Sequence, residues 1–174
     1  MEALDRLREG FSDVARDIKL NLPSVLAAST LTKEQAWGTA LASSYASRNA
    51  ELTVAVLADA RSLGISEGVI EDAKAAAVLM AMNNVLYRFR HVVGKEEYAQ
   101  KPARLRMQRL VQVSSSKADL ELFSLAVSAI NNCQACVQAH EATVLEHGLS
   151  TDHVHEAIRI ASVISAAALA LEVG

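Results

Sequence analysis

The chain of 174 residues has only two cysteines, two prolines and seven glycines, and aromatic residues make up 4% of it. Glycine and proline together stand at about half their usual share. That shortage excludes an all-β fold with many tight turns. A chain this long can bury roughly 70% of its extended surface, so a disulfide scaffold is not needed for folding. Neither sign of charge dominates: 17 basic residues face 20 acidic ones, a net of −3. This balance argues against a nucleic-acid partner and suits a cytoplasmic protein. No basic segment leads into an N-terminal apolar stretch, so no secretory signal is expected. The longest apolar run, residues 160–171, is interrupted by Ser162 and Ser165 and flanked by Arg159 and Glu172. It falls short of the roughly 20 residues a bilayer span requires, so no membrane association is expected.

What the chain does have is alanine, 31 residues of it, within a hydrophobic share of 51% and a charged share of 21%. Alanine is the best helix former and allows helices to approach closely, so the composition predicts a single all-α domain over residues 1–174. Helix starts are legible from their caps. Thr32 with Gln35 forms a capping box for a helix running to about Tyr45. Gly64 closes a helix beginning near Glu51, and residues 69–82 are apolar almost all round, which predicts a buried helix. Residues 95–102 read as a surface connection. The serines at 114–116 cap a helix from about Lys117 to Ile130, and Ser150, Thr151 and Asp152 cap a last helix ending near Leu171, with Gly148 stopping the helix before it. The basic run Lys101, Arg104, Arg106 and Arg109 reads as a solvated helix face or, alternatively, a contact for an anionic partner.

A shift of 84 residues aligns Leu41, Ala42 and Ser44 with Leu125, Ala126 and Ser128. It also aligns Gly64, Ser66 and Ala73 with Gly148, Ser150 and Ala157. The pattern predicts two pseudo-repeats, about 37–84 and 121–168, related by a pseudo-twofold axis. Only the second carries cysteines; Asn49 and Leu52 occupy the matching positions.

The chemistry is concentrated in Asn131-Asn132-Cys133-Gln134-Ala135-Cys136-Val137-Gln138-Ala139-His140. The asparagines are reasonable N-caps, which would put Cys133 in the first turn of a helix. Positions i, i+3 and i+7 share a face, so Cys133, Cys136 and His140 converge. A Cys-x-x-Cys pair at a helix start can close a disulfide, and the positive helix end raises the thiolate fraction. A zinc site would need His147 or His153 as a fourth ligand and lacks a finger spacing. Covalent haem is excluded because Val137 stands where the histidine would follow. Two inert buried cysteines are the remaining structural alternative. Which sulfur attacks stays open here: the helix dipole favours Cys133, and the one-turn spacing to His140 favours Cys136. Among the other histidines, His91 reads as a surface or interface residue and His147 as a helix C-terminus. His153 and His155 belong to the first turn of the last helix, with a chance of approaching the cysteines. Trp37 and Tyr45 read as core or intersubunit contacts.

Glu121 lies 12 residues before Cys133 in a strongly apolar helix, either an exposed stripe or a buried acid. The spacing Glu-x(11)-Cys-x-x-Cys-x-x-x-His at Glu121, Cys133, Cys136 and His140 resembles the alkyl hydroperoxide reductase D (AhpD) family of the carboxymuconolactone decarboxylase-like group. The likeness extends to Asp17-Ile18-Lys19-Leu20-Asn21-Leu22, to Met82-Asn83-Asn84-Val85 with Tyr87 and Arg88, and to residues 123–131. The resemblance implies an AhpD-like helical fold assembled as a homotrimer. It implies reduction of organic hydroperoxides, and electron transfer to the peroxiredoxin AhpC. Electrons would come from dihydrolipoamide on a lipoylated 2-oxoacid dehydrogenase subunit with its flavoprotein. It assigns Cys136 as the peroxidatic thiol, Cys133 as proton donor and resolving thiol, and Glu121 with His140 as a proton relay. No bound metal, flavin or haem is implied. A decarboxylase-type enzyme of the wider group, or a zinc-binding helical module without turnover, is the alternative. One departure stands out: many relatives carry histidine immediately before the second cysteine, where this chain has Ala135. The thiol should then be less depressed in pKa, leaving more of the work to Glu121 and His140.

Overall fold

A computed structural model of the chain describes residues 1–27 and 30–174. Among the described residues there are nine α-helices, two 3-10 turns and no strand. Helices α1 (Glu2–Glu9) and α2 (Arg16–Leu26) form an N-terminal cover. Helices α3 (Lys33–Ser47), α4 (Ala50–Ser62) and α5 (Glu67–Val93) follow. The short α6 (Glu96–Gln100) leads to α7 (Lys117–Ile130), α8 (Gln134–Glu146) and α9 (Thr151–Val173).

The expected caps at Thr32 and Ser116 are in place: Thr32 and Gln35 exchange both bonds of the capping box, and Ser116 accepts from the Asp119 amide. Ser66, not read as a cap in the sequence, accepts from the Val69 amide at the start of α5. Gly64 and Gly148 have φ of 77° and 88° just past α4 and α8. The residues predicted as an all-round apolar, buried helix lie within the 27-residue α5, which packs beside α3 and α7 but is buried on one side only, with Val78 and Ala81 exposed.

Helices α3 and α7 pack against each other at the centre, with Gln35 Nε2 donating to Asp119 Oδ1 at 2.9 Å. Gly38 makes that approach possible. A Cβ there would lie 2.1 Å from the Phe123 ring, so alanine would force the two helices apart. Residues Leu120, Leu122, Phe123 and Leu125 of α7 are fully buried, each worth about 2–3 kcal/mol of transfer free energy. Helix α5 packs on α3 and α7, α9 packs on α2, α3 and α7, and α1 lies on α4. Asp59 of α4 anchors α1 by accepting the amides of Ala3 and Leu4.

Three sequence expectations need correction. The connection at 95–102 contains the helical turn α6, although its residues stay on the surface. The basic run is not a helix face. Only Gln108–Val111 forms a 3-10 turn, and the rest of the run beyond Lys101 is irregular chain. Arg109 instead turns inward to Asp72 of α5 at 2.6 Å. Asp72 is fully buried and also accepts the amides of Ser114 and Ser115 and the Ser115 hydroxyl. Burial would raise its carboxyl pKa, but these donors together hold it below its ordinary value. The network binds the 101–116 strap along α5. Finally, the apolar run at 160–171 is part of a 23-residue helix long and apolar enough to cross a membrane. Its residues Ala157, Ile160, Ala161, Ile164, Ala167, Ala168 and Ala170 are buried in the fold, as in the core helix of a globular domain.

Candidate active site

The corner between α7 and α8 sets the position of the cysteines. Asn131 and Asn132 are not the caps of α8. Asn131 closes α7, and Asn132 takes the left-handed conformation with φ of 53°. Asparagine tolerates that region better than most residues, so the same preference that suggested an N-cap serves a helix end instead. Cys133 is therefore itself the N-cap residue of α8, one position earlier than the first turn. Its amide donates to the Ser128 carbonyl and its carbonyl accepts from the Val137 amide. Helix α5 braces this corner. Asn84 donates to Ser128 Oγ and accepts from Asn131 Nδ2, both at 2.9 Å, and Arg88 donates to the Asn131 carbonyl at 2.8 Å.

Cys133 and Cys136 are joined by a disulfide, with Cα atoms 5.3 Å apart. The two sulfurs differ in access. Cys133 is 0% exposed, whereas Cys136 is 7% exposed and lines a cavity of about 180 Å³. His140, one turn further along α8, lines the same cavity. Its Nδ1 lies 2.6 Å from Glu121 Oε2, and its Nε2 lies 3.2 Å from Met80 Sδ. Glu121 is buried on α7 rather than forming an exposed stripe. Burial alone would push its carboxyl up, but hydrogen bonds from His140 and Lys117 and their charges outweigh it and bring the pKa down to about 2. The carboxylate is thus ionised at neutral pH and accepts the Nδ1–H proton. That fixes the ring orientation and leaves Nε2 on the side of Met80.

The structure brings together all four residues selected from spacing: Cys133 and Cys136 through their bond, and Glu121 through His140. The other histidines stand apart. His147 caps the end of α8 and contacts the Thr143 carbonyl, and His153 pairs with Ser150 at the start of α9, so neither candidate for a fourth zinc ligand joins the cysteines. His155 is exposed, and His91 is exposed and contacts Gln134. Trp37 is buried in the core, and Tyr45 is half-buried beside a separate cleft.

Sequence reasoning assigned no role to the walls that lie outside α8. Met80, Asn83 and Tyr87 come from one face of α5, and Met107 comes from the strap. The i, i+3, i+7 spacing of the first three marks a shared face, but nothing local indicates which neighbour that face meets. Lys117 was also missed; it donates to Glu121 Oε1 one helical turn away.

Fold and site together define an all-helical protein with a Cys-x-x-Cys disulfide opening a helix and a carboxylate–imidazole pair beside it. The family model described as "Carboxymuconolactone decarboxylase family" matches residues 96–173. A protein named alkyl hydroperoxide reductase AhpD from Anaeromyxobacter dehalogenans (strain 2CP-1 / ATCC BAA-258) is 60% identical over 172 residues, covering 99% of this chain and 92% of the relative. Proteins of the same name from Solibacter usitatus (strain Ellin6076) and Rhodospirillum centenum (strain ATCC 51521 / SW) are 45% and 43% identical, each over 98% of this chain and at least 91% of their own lengths. The chain belongs to the AhpD family.

Proposed function

We propose that the protein is a thiol-dependent hydroperoxide reductase that cycles between the Cys133–Cys136 dithiol and its disulfide. The observation that carries this reading is the unequal access of the sulfurs: Cys136 faces the cavity shared with His140, while Cys133 is enclosed behind it. In the reduced protein, the positive end of α8 and the Glu121–His140 pair favour the Cys136 thiolate. The thiolate attacks the distal oxygen of an organic hydroperoxide. A sulfur–oxygen bond forms, the oxygen–oxygen bond breaks, and the alkoxide leaves as the alcohol with a proton supplied by Cys133 or by His140. Cys133 then attacks the Cys136 sulfenic acid, forming the disulfide and releasing water. A dithiol closes the cycle by returning two electrons and two protons.

Dihydrolipoamide is the reductant in this reading, carried on a lipoylated 2-oxoacid dehydrogenase subunit with its flavoprotein. The peroxiredoxin AhpC is a second electron acceptor. The family resemblance supports both, as it supports a homotrimer and a cytoplasmic setting in which the dithiol can be regenerated. Val78, Val85, Phe89 and Val92 form an exposed apolar ridge on α5 that self-association would cover, and sedimentation equilibrium measures the assembly directly.

Single cysteine variants test the mechanism. Cys136→Ser should not react with tert-butyl hydroperoxide. Cys133→Ser should consume one equivalent and stop at a sulfenic acid that dimedone traps. Turnover with dihydrolipoamide surviving in either variant would refute the two-thiol cycle.

A further inference from the structure

The cavity beside Cys136 has walls of two kinds. Two are helices, α5 with Met80 and Tyr87 and α8 with Cys136 and His140. The third is Met107 of the strap, the only lining residue among the described residues that lies outside an α-helix. A helix is held by its own backbone hydrogen bonds, whereas irregular chain keeps its place only where something ties it. The strap is tied to α5 at both ends. At one end the Lys101 carbonyl accepts from Arg90 Nη2 at 2.5 Å. At the other, the fully buried Asp72 accepts from Arg109 Nη2 at 2.6 Å, from the Ser114 and Ser115 amides, and from the Ser115 hydroxyl at 2.7 Å. The fit at this second end is close. A Cβ on Gly68, one turn before Asp72, would lie 2.7 Å from the Ser114 carbonyl oxygen. Met107 stands between the two ties, two residues from Arg109.

We propose that Met107 is the specificity-determining residue of the site, setting the size of alkyl group that fits beside Cys136, and that the Asp72–Arg109 clasp is the positioning device that holds it there. This rests on the hydroperoxide-reductase reading above and adds the substrate class, hydroperoxides with a compact alkyl group. The volume of about 180 Å³ is below the roughly 300–1,000 Å³ of pockets that enclose drug-sized ligands. The direction of attack makes the wall matter. Sulfur approaches the distal oxygen and the alkoxide departs in line with it, so the alkyl group lies beyond the oxygen–oxygen bond and needs room against a wall. Bond making and proton delivery are the same for every hydroperoxide; only that room differs. Methionine is unbranched and adaptable, so it grades alkyl groups by size rather than admitting a single shape. Among the described residues neither Asp72 nor Arg109 lines the cavity, so both act through the strap.

Two hydroperoxides of different size separate the proposal from a purely structural role. Stopped-flow experiments on the reduced protein give rate constants for oxidation by cumene hydroperoxide and by tert-butyl hydroperoxide, and their ratio cancels any general loss of thiol reactivity. Met107→Ala should raise that ratio roughly five-fold or more, and Met107→Trp should lower it by a similar factor. Arg109→Met changes a residue outside the cavity and should move the ratio in the same direction as Met107→Ala, because a slackened strap yields to the larger group. Ser115→Ala is a milder way to loosen the clasp should the loss of Arg109 from buried Asp72 impair folding, and circular dichroism melting shows which variants fold. A ratio that stays at the wild-type value in the Met107 variants overturns the specificity assignment. A ratio that follows Met107 but ignores Arg109 and Ser115 in folded variants overturns the clasp. If the wild-type dithiol reacts with neither hydroperoxide, the hydroperoxide-reductase reading fails first, and this inference falls with it.

Discussion

Helices α3, α4 and α5 begin at residues 33, 50 and 67, and α7, α8 and α9 begin at 117, 134 and 151, each 84 positions later. The offset carries Trp37 onto Glu121, Asn49 onto Cys133, Leu52 onto Cys136 and Val56 onto His140. In the first triplet these positions serve packing. Trp37, Leu52 and Val56 are buried, and Asn49 caps α4 by accepting the Leu52 amide. In the second triplet the N-cap and the two positions after it on that helix carry two sulfurs and an imidazole. The surroundings differ too. Helix α4 is covered by α1, whereas α8 leaves only Cys136 and Val144 buried along its length and opens on a cavity. The comparison separates two demands on one backbone plan. Helix starts are met alike in both triplets, while the reactivity proposed for the second rests on four side-chain exchanges and on α8 lacking the cover that α1 gives α4.

The strongest way to break this comparison is to make the second triplet resemble the first. Cys136→Leu installs the residue found at Leu52 and should lower hydroperoxide turnover by roughly a thousand-fold or more, because the proposed nucleophile is gone. Circular dichroism should still report a folded helical protein. Glu121→Gln is next. Removing the charge that fixes the imidazole should slow the reaction roughly ten- to a hundred-fold. The same substitution has a signature in stability. Glu121 is brought from an ordinary 4.5 to about 2 in the folded state. A depressed acid contributes stability that is complete above about pH 4.5 and is lost as pH falls from there towards 2, worth up to about 3 kcal/mol. Urea denaturation across that window should show a shallower pH dependence in the variant than in the wild type. Equal slopes would remove Glu121 as the source.

On the packing side, Leu52→Ala should cost about 2–5 kcal/mol of stability while leaving the reaction of Cys136 with hydroperoxide unchanged. A loss of reactivity matching the loss of stability would show that the triplets are not separable in this way.

Much of the scaffold was legible because its signals are local. The Thr32–Gln35 box and the serines at 116 and 150 announce helices within four residues. The cysteines and His140 were legible for the same reason, since one helix fixes their spacing. Glu121 was found by its distance from them in the chain, but its burial and its bond to Lys117 depend on packing. The asparagines at 131 and 132 misled because asparagine suits both a helix start and a left-handed helix end. Arg109 could not be read as an anchor, because Asp72 lies 37 residues away and its burial has no local marker. The walls of the cavity were the least legible. Met80, Asn83 and Tyr87 meet α8 only through the tertiary fold, and the near-uniform apolarity of that stretch of α5 hides which face does so.

The smallest effect concerns Ala135, which lines the cavity immediately before Cys136. In the first triplet the matching residue is Glu51, which is exposed. A histidine at 135 would bring a second imidazole to the first turn of α8, where a positive charge favours a neighbouring thiolate. Ala135→His should therefore lower the midpoint of the Cys136 thiolate titration by about one pH unit or less, read from ultraviolet absorbance of the reduced protein. The Glu121→Gln background sharpens the test. With the resident imidazole no longer fixed by a carboxylate, the added histidine should recover part of the lost rate near neutral pH. An unchanged titration midpoint, with no recovery, would mean that the Glu121–His140 pair and the helix end already supply all the stabilisation the thiolate can receive. The departure at residue 135 would then carry no chemical consequence.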